Sequence, residues 1–172
     1  MNTPRIVLLL SVILGSLTAC TTMDRPATGG LVDINFHEPN RFTDLARTDS
    51  PGQGADEGYL RELRDYLVRS GGTMLPPGSR LFLTITDVDM AGEFEPQRGA
   101  NFRDIRIIKP IYSPRIELTY RLTDAGGNIV AEGERQLRDP AFDWNITPID
   151  REDPLRHEKA LLNSFLRELT RS

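Results

Sequence analysis

The chain has 172 residues and a formal net charge of −4, from 21 lysines and arginines against 25 aspartates and glutamates. That length is typical of a single domain with a sizeable core. The acidic balance argues against a nucleic-acid-binding protein and against electrostatic adhesion to anionic lipid, since both require an excess of positive charge.

The N-terminal residues have the layout of a secretory signal. Arg5 precedes a mostly apolar run at residues 6–17, which leads into Leu17-Thr18-Ala19-Cys20. Twelve residues of helix rise only about 18 Å, so this run is too short for the ~30 Å hydrocarbon core of a bilayer. We therefore expect residues 1–19 to be a signal peptide that is removed from the mature protein.

The segment Leu17-Thr18-Ala19-Cys20 resembles the lipobox of bacterial lipoproteins, where small residues precede a cysteine whose thiol carries a diacylglycerol. The resemblance implies lipidation of Cys20 and acylation of its freed amine by a fatty acid such as palmitate. The alternative is an ordinary signal peptide followed by a free thiol. Lipidation is favoured because Cys20 is the only cysteine, and an unpaired thiol in an exported chain risks unwanted disulfides.

Acylated Cys20 is expected to hold the protein on a lipid bilayer without a basic patch, because two acyl chains give stable anchoring. Thr21, rather than an aspartate, follows the cysteine. This resembles an outer-membrane sorting signal, so we expect a location at the periplasmic face of the outer membrane. Residues 20–30 are polar after the cysteine and end in a glycine pair, which predicts a flexible tether to one domain at residues 31–172.

The first half of that domain begins with a strand and a helix. Apolar residues alternate at Val32, Ile34 and Phe36, which predicts a half-buried strand. Residues 38–58 are rich in Pro, Asn, Asp, Ser and Gly, which indicates a long connection with at most one helical turn. Residues 58–69 have apolar side chains at helical spacing and are followed by Ser70-Gly71-Gly72, which predicts a helix that ends there.

Four strands are predicted next. A Pro-Pro-Gly turn precedes the strongest strand, at residues 80–90, and a shorter strand is expected at residues 104–109. Pro110 and Pro114 then predict a bend. Residues 115–123 and 129–137 form a hairpin, because the intervening residues 124–128 are rich in types that tolerate positive φ.

The last element is a helix, which we expect Asp153 to cap with Pro154 in its first position. Its predicted buried stripe consists of Leu155, Leu162, Phe165, Leu166 and Leu169. The order of strand, helix, four strands and helix predicts an α+β fold. We expect a two-layer sandwich, in which a mixed or antiparallel sheet of about five strands carries both helices on one face.

Four carboxylates crowd into residues 86–96, namely Asp87, Asp89, Glu93 and Glu95. Oxygen ligands at such spacing can bind a hard divalent cation such as calcium, although the pattern is not an EF-hand loop. The alternative is that the strand leaves the core here and the acids are solvated.

The sequence assigns no catalytic residue, cofactor or metal ligand. His37 and His157 are too few for a structural zinc site, and His157 is interpreted as a helix-surface residue. No serine or threonine lies in a Gly-x-Ser-x-Gly elbow.

A group of arginines could bind an anion or the carboxylates of a partner. The alternative is that they form local ion pairs with acids such as Asp104 and Glu117. The group consists of Arg98, Arg103, Arg106 and Arg115.

Six short segments, taken in order, resemble the domain of unknown function 3016 family and cover most of residues 31–169. The resemblance implies export and often lipidation, and it supplies no activity, cofactor or catalytic residue. The family pattern has an aromatic residue where His157 stands, which argues against catalysis by that histidine. The segments are Phe42-Thr43-Asp44, Leu75-Pro76-Pro77-Gly78, Thr86-Asp87-Val88-Asp89-Met90-Ala91-Gly92, Asp104-Ile105-Arg106, Pro114-Arg115-Ile116-Glu117-Leu118-Thr119-Tyr120 and Glu158-Lys159.

These features favour a non-enzymatic envelope lipoprotein whose domain binds a protein or another envelope component. One alternative is a module that binds a small ligand or a divalent cation through the acids after Ile85 or the nearby arginines. An enzyme is the third hypothesis. A nucleic acid is not expected as a partner.

Overall fold

The computed structural model describes residues 30–45, 56–99, 105–145 and 149–171. The expected signal peptide, the expected lipidation site Cys20 and the expected tether as far as residue 29 lie outside the described residues. Within the described ranges, no helix combines the length and apolar character that a bilayer crossing requires.

The fold is α+β, as the sequence predicts, with a mixed main sheet in the order β1-β2-β5-β6. β1 runs parallel to β2, and the other neighbours are antiparallel. β3 and β4 form a separate two-stranded sheet. The strands are β1 Leu31–Phe36, β2 Arg80–Asp89, β3 Glu93–Phe94, β4 Arg106–Ile107, β5 Arg115–Thr123 and β6 Ile129–Arg138, and the helices are α1 Glu57–Met74 and α2 Arg156–Leu169.

The prediction of a fifth strand at residues 104–109 was wrong in its length and its placement. Of the described residues 105–109, only Arg106–Ile107 is extended, and it pairs with Glu93–Phe94 outside the main sheet. Two residues cannot develop the alternation on which strand prediction depends, so β3 was not foreseen either.

One face of the main sheet carries the core. Leu81, Leu83 and Ile85 of β2 lie opposite apolar residues of β5 and are at most 2% exposed. Both helices cover this face, α1 over β1 and α2 over β5 and β6. Phe165 of α2 packs edge-on against Tyr120 of β5, with ring centroids 5.2 Å apart. The predicted stripe of α2 is therefore core, and Leu155, Leu162, Leu166 and Leu169 are buried with Phe165.

The predicted end of α1 was wrong, because the helix continues through Gly71 and Gly72 to Met74. A Cβ atom at Gly71 would lie 2.2 Å from Cγ2 of Val32. Gly71 thus allows α1 to approach β1 closely rather than ending the helix. The helix ends before the turn at Pro76 and Pro77, where Gly78 adopts φ 79°.

The predicted start of α2 was also wrong. Asp153 accepts a hydrogen bond from the Leu155 amide at 2.8 Å, so residues 153–155 form a turn. The helix begins two residues later than expected, at Arg156 with Leu155 as its N-cap residue. Pro154 therefore precedes the helix rather than occupying its first position.

Candidate functional site at the carboxyl end of β2

Arg115 forms ion pairs with Asp87 and Asp89, two of the four acids that the sequence analysis considered as cation ligands. Its guanidinium lies 3.1 Å from the Asp87 carboxylate and 3.5 Å from the Asp89 carboxylate. It also donates to Glu117 at 2.8 Å. Asp87 further accepts hydrogen bonds from the amide and hydroxyl of Thr43, at 2.7 and 2.9 Å. Asp87 and Asp89 are consequently engaged with a protein cation.

Glu95 lies in a different place and is buried, with only 4% of its surface exposed. Its carboxylate accepts hydrogen bonds from the Lys109 ammonium and from the Tyr112 hydroxyl. The hydrogen bond from Lys109 holds the pKa of the Glu95 carboxyl below its usual range. The expectation that these acids are solvated was therefore wrong for Glu95.

Glu93 accepts a hydrogen bond from the Phe94 amide at 2.8 Å and is not part of either ion-pair group. In the parts of the chain that the structure describes, no group of three or more histidine, aspartate or glutamate side chains is arranged to hold a metal ion.

A second set of contacts fixes the turn that follows β2. Asp44 accepts hydrogen bonds from the Met90 amide at 2.8 Å and from the Arg106 guanidinium at 3.0 Å. Arg106 also donates to the Gly92 carbonyl at 2.7 Å, and its guanidinium lies 4.7 Å above the centre of the Phe94 ring. These contacts fix residues 90–92 directly after the carboxyl end of β2.

The expected local ion pairing is confirmed for Arg98 and Arg115, whereas Arg106 pairs with the distant Asp44. Arg98 lies 3.5 Å from the Glu95 carboxylate, and Arg106 and Arg115 pair as described above. Arg103 and Asp104, one of the acids expected to pair with these arginines, lie outside the described residues.

Glu158, on α2, contacts the same turn from the helical layer. One carboxylate oxygen accepts a hydrogen bond from the Ala91 amide at 2.8 Å, and the other has no hydrogen-bond partner among the described residues. The side chain is 1% exposed, and this burial raises the pKa of the Glu158 carboxyl to about 7. Sequence reasoning missed this residue, although it falls at helical spacing between Leu155 and Leu162 of the buried stripe.

Lys159 follows directly and connects the two helices. It is 4% exposed, and its ammonium donates to Glu62 of α1 and to Asp153, both at 2.5 Å. Burial lowers the pKa of Lys159, but the hydrogen bonds to the two carboxylates outweigh it and leave the pKa raised. The Glu158-Lys159 segment therefore joins α2 to the turn after β2 through Glu158, and to α1 and Asp153 through Lys159.

The interpretation of His157 as a helix-surface residue was wrong. Residues 139–145 fold against the start of α2, and Phe142 meets the imidazole edge-on at 4.7 Å between ring centroids. The Arg156 guanidinium donates to Nε2 of His157, and burial lowers the pKa of the histidine to about 4. His37, by contrast, is exposed and lies 4.0 Å from Glu38.

A polar pocket of about 360 Å³ opens at the end of the sheet where β2 finishes. Its walls include Asp89, Arg115 and Arg138, which lie side by side on β2, β5 and β6. Nε of Arg138 donates to the Ser113 hydroxyl at 2.9 Å. Among the described residues, no carboxylate lies within ion-pair distance of Arg138. The pocket can therefore offer a positioned guanidinium to an anionic group.

Comparison with known proteins supports a family assignment only. The profile of the family described as "Protein of unknown function (DUF3016)" matches residues 30–168. No curated protein sequence matches the chain. A solved structure of a minor lipoprotein from Acinetobacter baumannii is similar at 11% identity over 84% of this chain and 91% of that chain, with a TM-score of 0.25. At that TM-score the similarity supports no conclusion about fold or function.

Proposed function

The chain belongs to the DUF3016 family, whose description names no activity, and we propose for this member a non-enzymatic role as a lipid-anchored binding protein of the bacterial cell envelope. Cys20 supplies the anchor, and the polar pocket at the carboxyl end of β2 supplies the binding surface. The lipobox-like segment at residues 17–20 supports the anchor, and Thr21 supports a periplasmic location on the outer membrane.

Arg138 is the observation that carries the binding role. Arg115 and Arg138 are cross-strand neighbours, and Asp89 pairs with Arg115 from the next strand. The corresponding place beside Arg138 holds no protein carboxylate in the described structure. A carboxylate of an envelope protein or another envelope component would supply that partner, because guanidinium and carboxylate groups form two parallel hydrogen bonds.

The environments of the ionisable groups support a non-enzymatic role. His157 is buried against Phe142 and has a lowered pKa, so it is poorly placed to accept a proton from a substrate. Glu158 has a raised pKa of the kind found in general acids, but it lies beneath the turn and does not line the pocket. Both groups are explained by packing.

The alternative of a divalent-cation site finds less support. A cation would have to displace Arg115 from Asp87 and Asp89, and Lys109 from Glu95. The loss of those ion pairs would oppose metal binding. A nucleic-acid partner is not proposed, since the net charge is −4.

Site-specific photocrosslinking in cells tests the binding role. A benzophenone amino acid at Ile111, which lines the pocket and is 72% exposed, should give a discrete crosslinked product with an envelope component. The same probe at Val68, which is exposed on α1, serves as the control. Arg138→Gln should remove the product, whereas Arg121→Gln on the open face of the sheet should not. A product at Ile111 that persists in Arg138→Gln would contradict the proposal.

A further inference from the structure

An apolar groove of about 300 Å³ lies at the end of the domain opposite to the polar pocket. Three loops or element ends build it: the turn before β2, the β5–β6 hairpin and the end of α2. The turn and the hairpin are in close contact, since a Cβ atom at Gly78 would lie 2.8 Å from Cβ of Ala125. The apolar lining comes from Pro76, Pro77, Leu122, Ala125, Val130 and Leu169.

Exposed apolar side chains also lie at this end of the sheet, on both of its edge strands. Leu31, Ile129 and Val130 are 52%, 55% and 56% exposed. Leu31 and Ile129 terminate one row of paired residues that runs through Arg80 and Thr123. Apolar side chains therefore lie at both margins of this end of the sheet, on β1 and on β6, with Arg80 and Thr123 between them. Water contact with the groove and with these side chains is unfavourable, so this end of the domain is suited to an interaction.

The chain enters the domain beside the groove. The Leu31 amide donates to the carbonyl of Ser79, a groove residue, at 2.9 Å. Gly30 lies ten positions after Cys20, and a chain of that length spans roughly 17 Å as a coil and about 35 Å when fully extended. β2 alone carries the opposite end about 33 Å away from Ser79. An anchor at Cys20 consequently reaches a bilayer most readily on the groove side.

We infer that the groove and its exposed rim form a membrane-facing surface that rests on the lipid bilayer when Cys20 is acylated. This inference rests on the lipid anchor of the proposed function. The bilayer is the occupant because the short connection to Cys20 holds this end of the domain near the acyl chains. Leu31, Ile129 and Val130 enter the interfacial region, while the polar pocket faces the periplasm.

Among the described residues that line the groove, Asp124 alone carries a charged side chain. Hydrogen bonds from the side chain of Asn128 and from its amide hold the pKa of Asp124 below its usual range. The same carboxylate accepts from the Gly126 amide at 2.8 Å, so the hairpin turn itself stabilises the negative charge. Asp124 therefore stays ionised, and its carboxylate has to remain in contact with water or lipid headgroups when the apolar side chains enter the interfacial region.

Depth-dependent quenching of a fluorophore tests the inference on the full, lipidated chain. Ile129→Cys and Ile111→Cys introduce one free thiol at each end of the domain, and native Cys20 is occupied by lipid. Each thiol is labelled with an environment-sensitive fluorophore. The proteins are then reconstituted into vesicles of phosphatidylethanolamine and phosphatidylglycerol that contain a headgroup-nitroxide lipid. We expect several-fold stronger nitroxide quenching at position 129 than at position 111.

Each other outcome has a distinct meaning. Vesicle-bound protein with equal quenching at both positions would overturn the inference and leave the anchor intact. A blue-shifted emission at position 129 without nitroxide quenching would indicate a second copy of the chain in the groove and would also overturn it. Failure to sediment with vesicles would overturn the anchor, and the inference with it. Val130→Glu should weaken quenching at position 129 without releasing the protein from the vesicles.

Discussion

Glu158 is buried in a position where an ionised carboxylate has little to stabilise it. One of its oxygens is bonded to the Ala91 amide, and the other has no partner among the described residues. Ionisation in such a place is costly, which is why the pKa is raised. The adjacent His157 is buried as well, and burial lowers its pKa. Neighbouring residues of α2 thus give opposite pH dependences to the free energy of unfolding.

The pKa of Glu158 makes a direct prediction for Glu158→Gln. The pKa is about 7 in the folded protein and 4.5 in the reference state, so stabilisation is full below about pH 4.5 and is lost as the pH rises through about 7. Glutamine keeps an acceptor for the Ala91 amide and does not ionise. The free energy of unfolding of the variant minus that of wild type should therefore be larger at about pH 8 than at about pH 4, by about 3 kcal/mol.

Urea melts at the two pH values measure this difference. His157 contributes stabilisation that is present above its unfolded pKa of 6.5 and is lost as the pH falls through about 4. That contribution is common to both proteins, so it cancels when variant and wild type are compared. An equal difference in free energy of unfolding at both pH values would contradict a buried, protonated Glu158.

The residue types in the sequence predicted that some side chains form ion pairs, but not which partners they pair with. The ion pairs of Arg106 and Arg115 were expected because acids lie nearby in the sequence. The actual partner of Arg106 is Asp44, 62 positions away, and that of Lys159 is Glu62, 97 positions away. Such pairs depend on the packing of distant elements, which local patterns do not encode.

Helix α1 shows how tertiary contact overrides a local signal. A glycine pair after an apolar stripe commonly ends a helix. Here, Gly71 lies against Val32 of β1, and the helix continues. The strands and the hairpin were predictable because they are long enough to show period-two alternation, whereas the two-residue strands β3 and β4 are not.

Paired alanine substitutions test the role of Gly71. Gly71→Ala places a methyl group 2.2 Å from Cγ2 of Val32, so the helix must shift and the free energy of unfolding should fall by about 1–3 kcal/mol. At Gly72 the new methyl group meets only the Gly30 carbonyl at 3.7 Å. Gly72→Ala should therefore stabilise the helix by roughly 0.5–1 kcal/mol. Equal effects in urea melts would count against close α1–β1 packing.

Phe165 tests the contact between α2 and the sheet. Its ring is 2% exposed and packs against Tyr120, so Phe165→Ala should lower the free energy of unfolding by about 3–5 kcal/mol through lost burial and a residual cavity. Arg167→Ala, on the exposed side of α2, should change it by less than about 0.5 kcal/mol. An unchanged urea midpoint for Phe165→Ala would refute the assignment of this stripe to the core.

The whole domain has two unlike ends, and the sheet connects them. β1 and β2 both start at the end where the chain enters, which carries the apolar groove, and β2 leads to the polar pocket with Arg138. The sequence predicts the anchor and the strands. It does not predict this polarity, because the parallel register of β1 on β2 follows from long-range pairing. The arrangement suits a protein that is held on a membrane and binds components away from it.

Fatty-acid labelling of Cys20 variants tests the central claim of a lipid-anchored envelope protein most directly. Cells that express the full chain are grown with labelled palmitate. The wild-type chain and the control Thr21→Ser, which retains the lipobox-like segment, should both take up label and be processed to the mature size. Cys20→Ser should take up none and should accumulate as the unprocessed precursor, because its acyl acceptor is missing. Labelled Cys20→Ser of mature size would contradict the account.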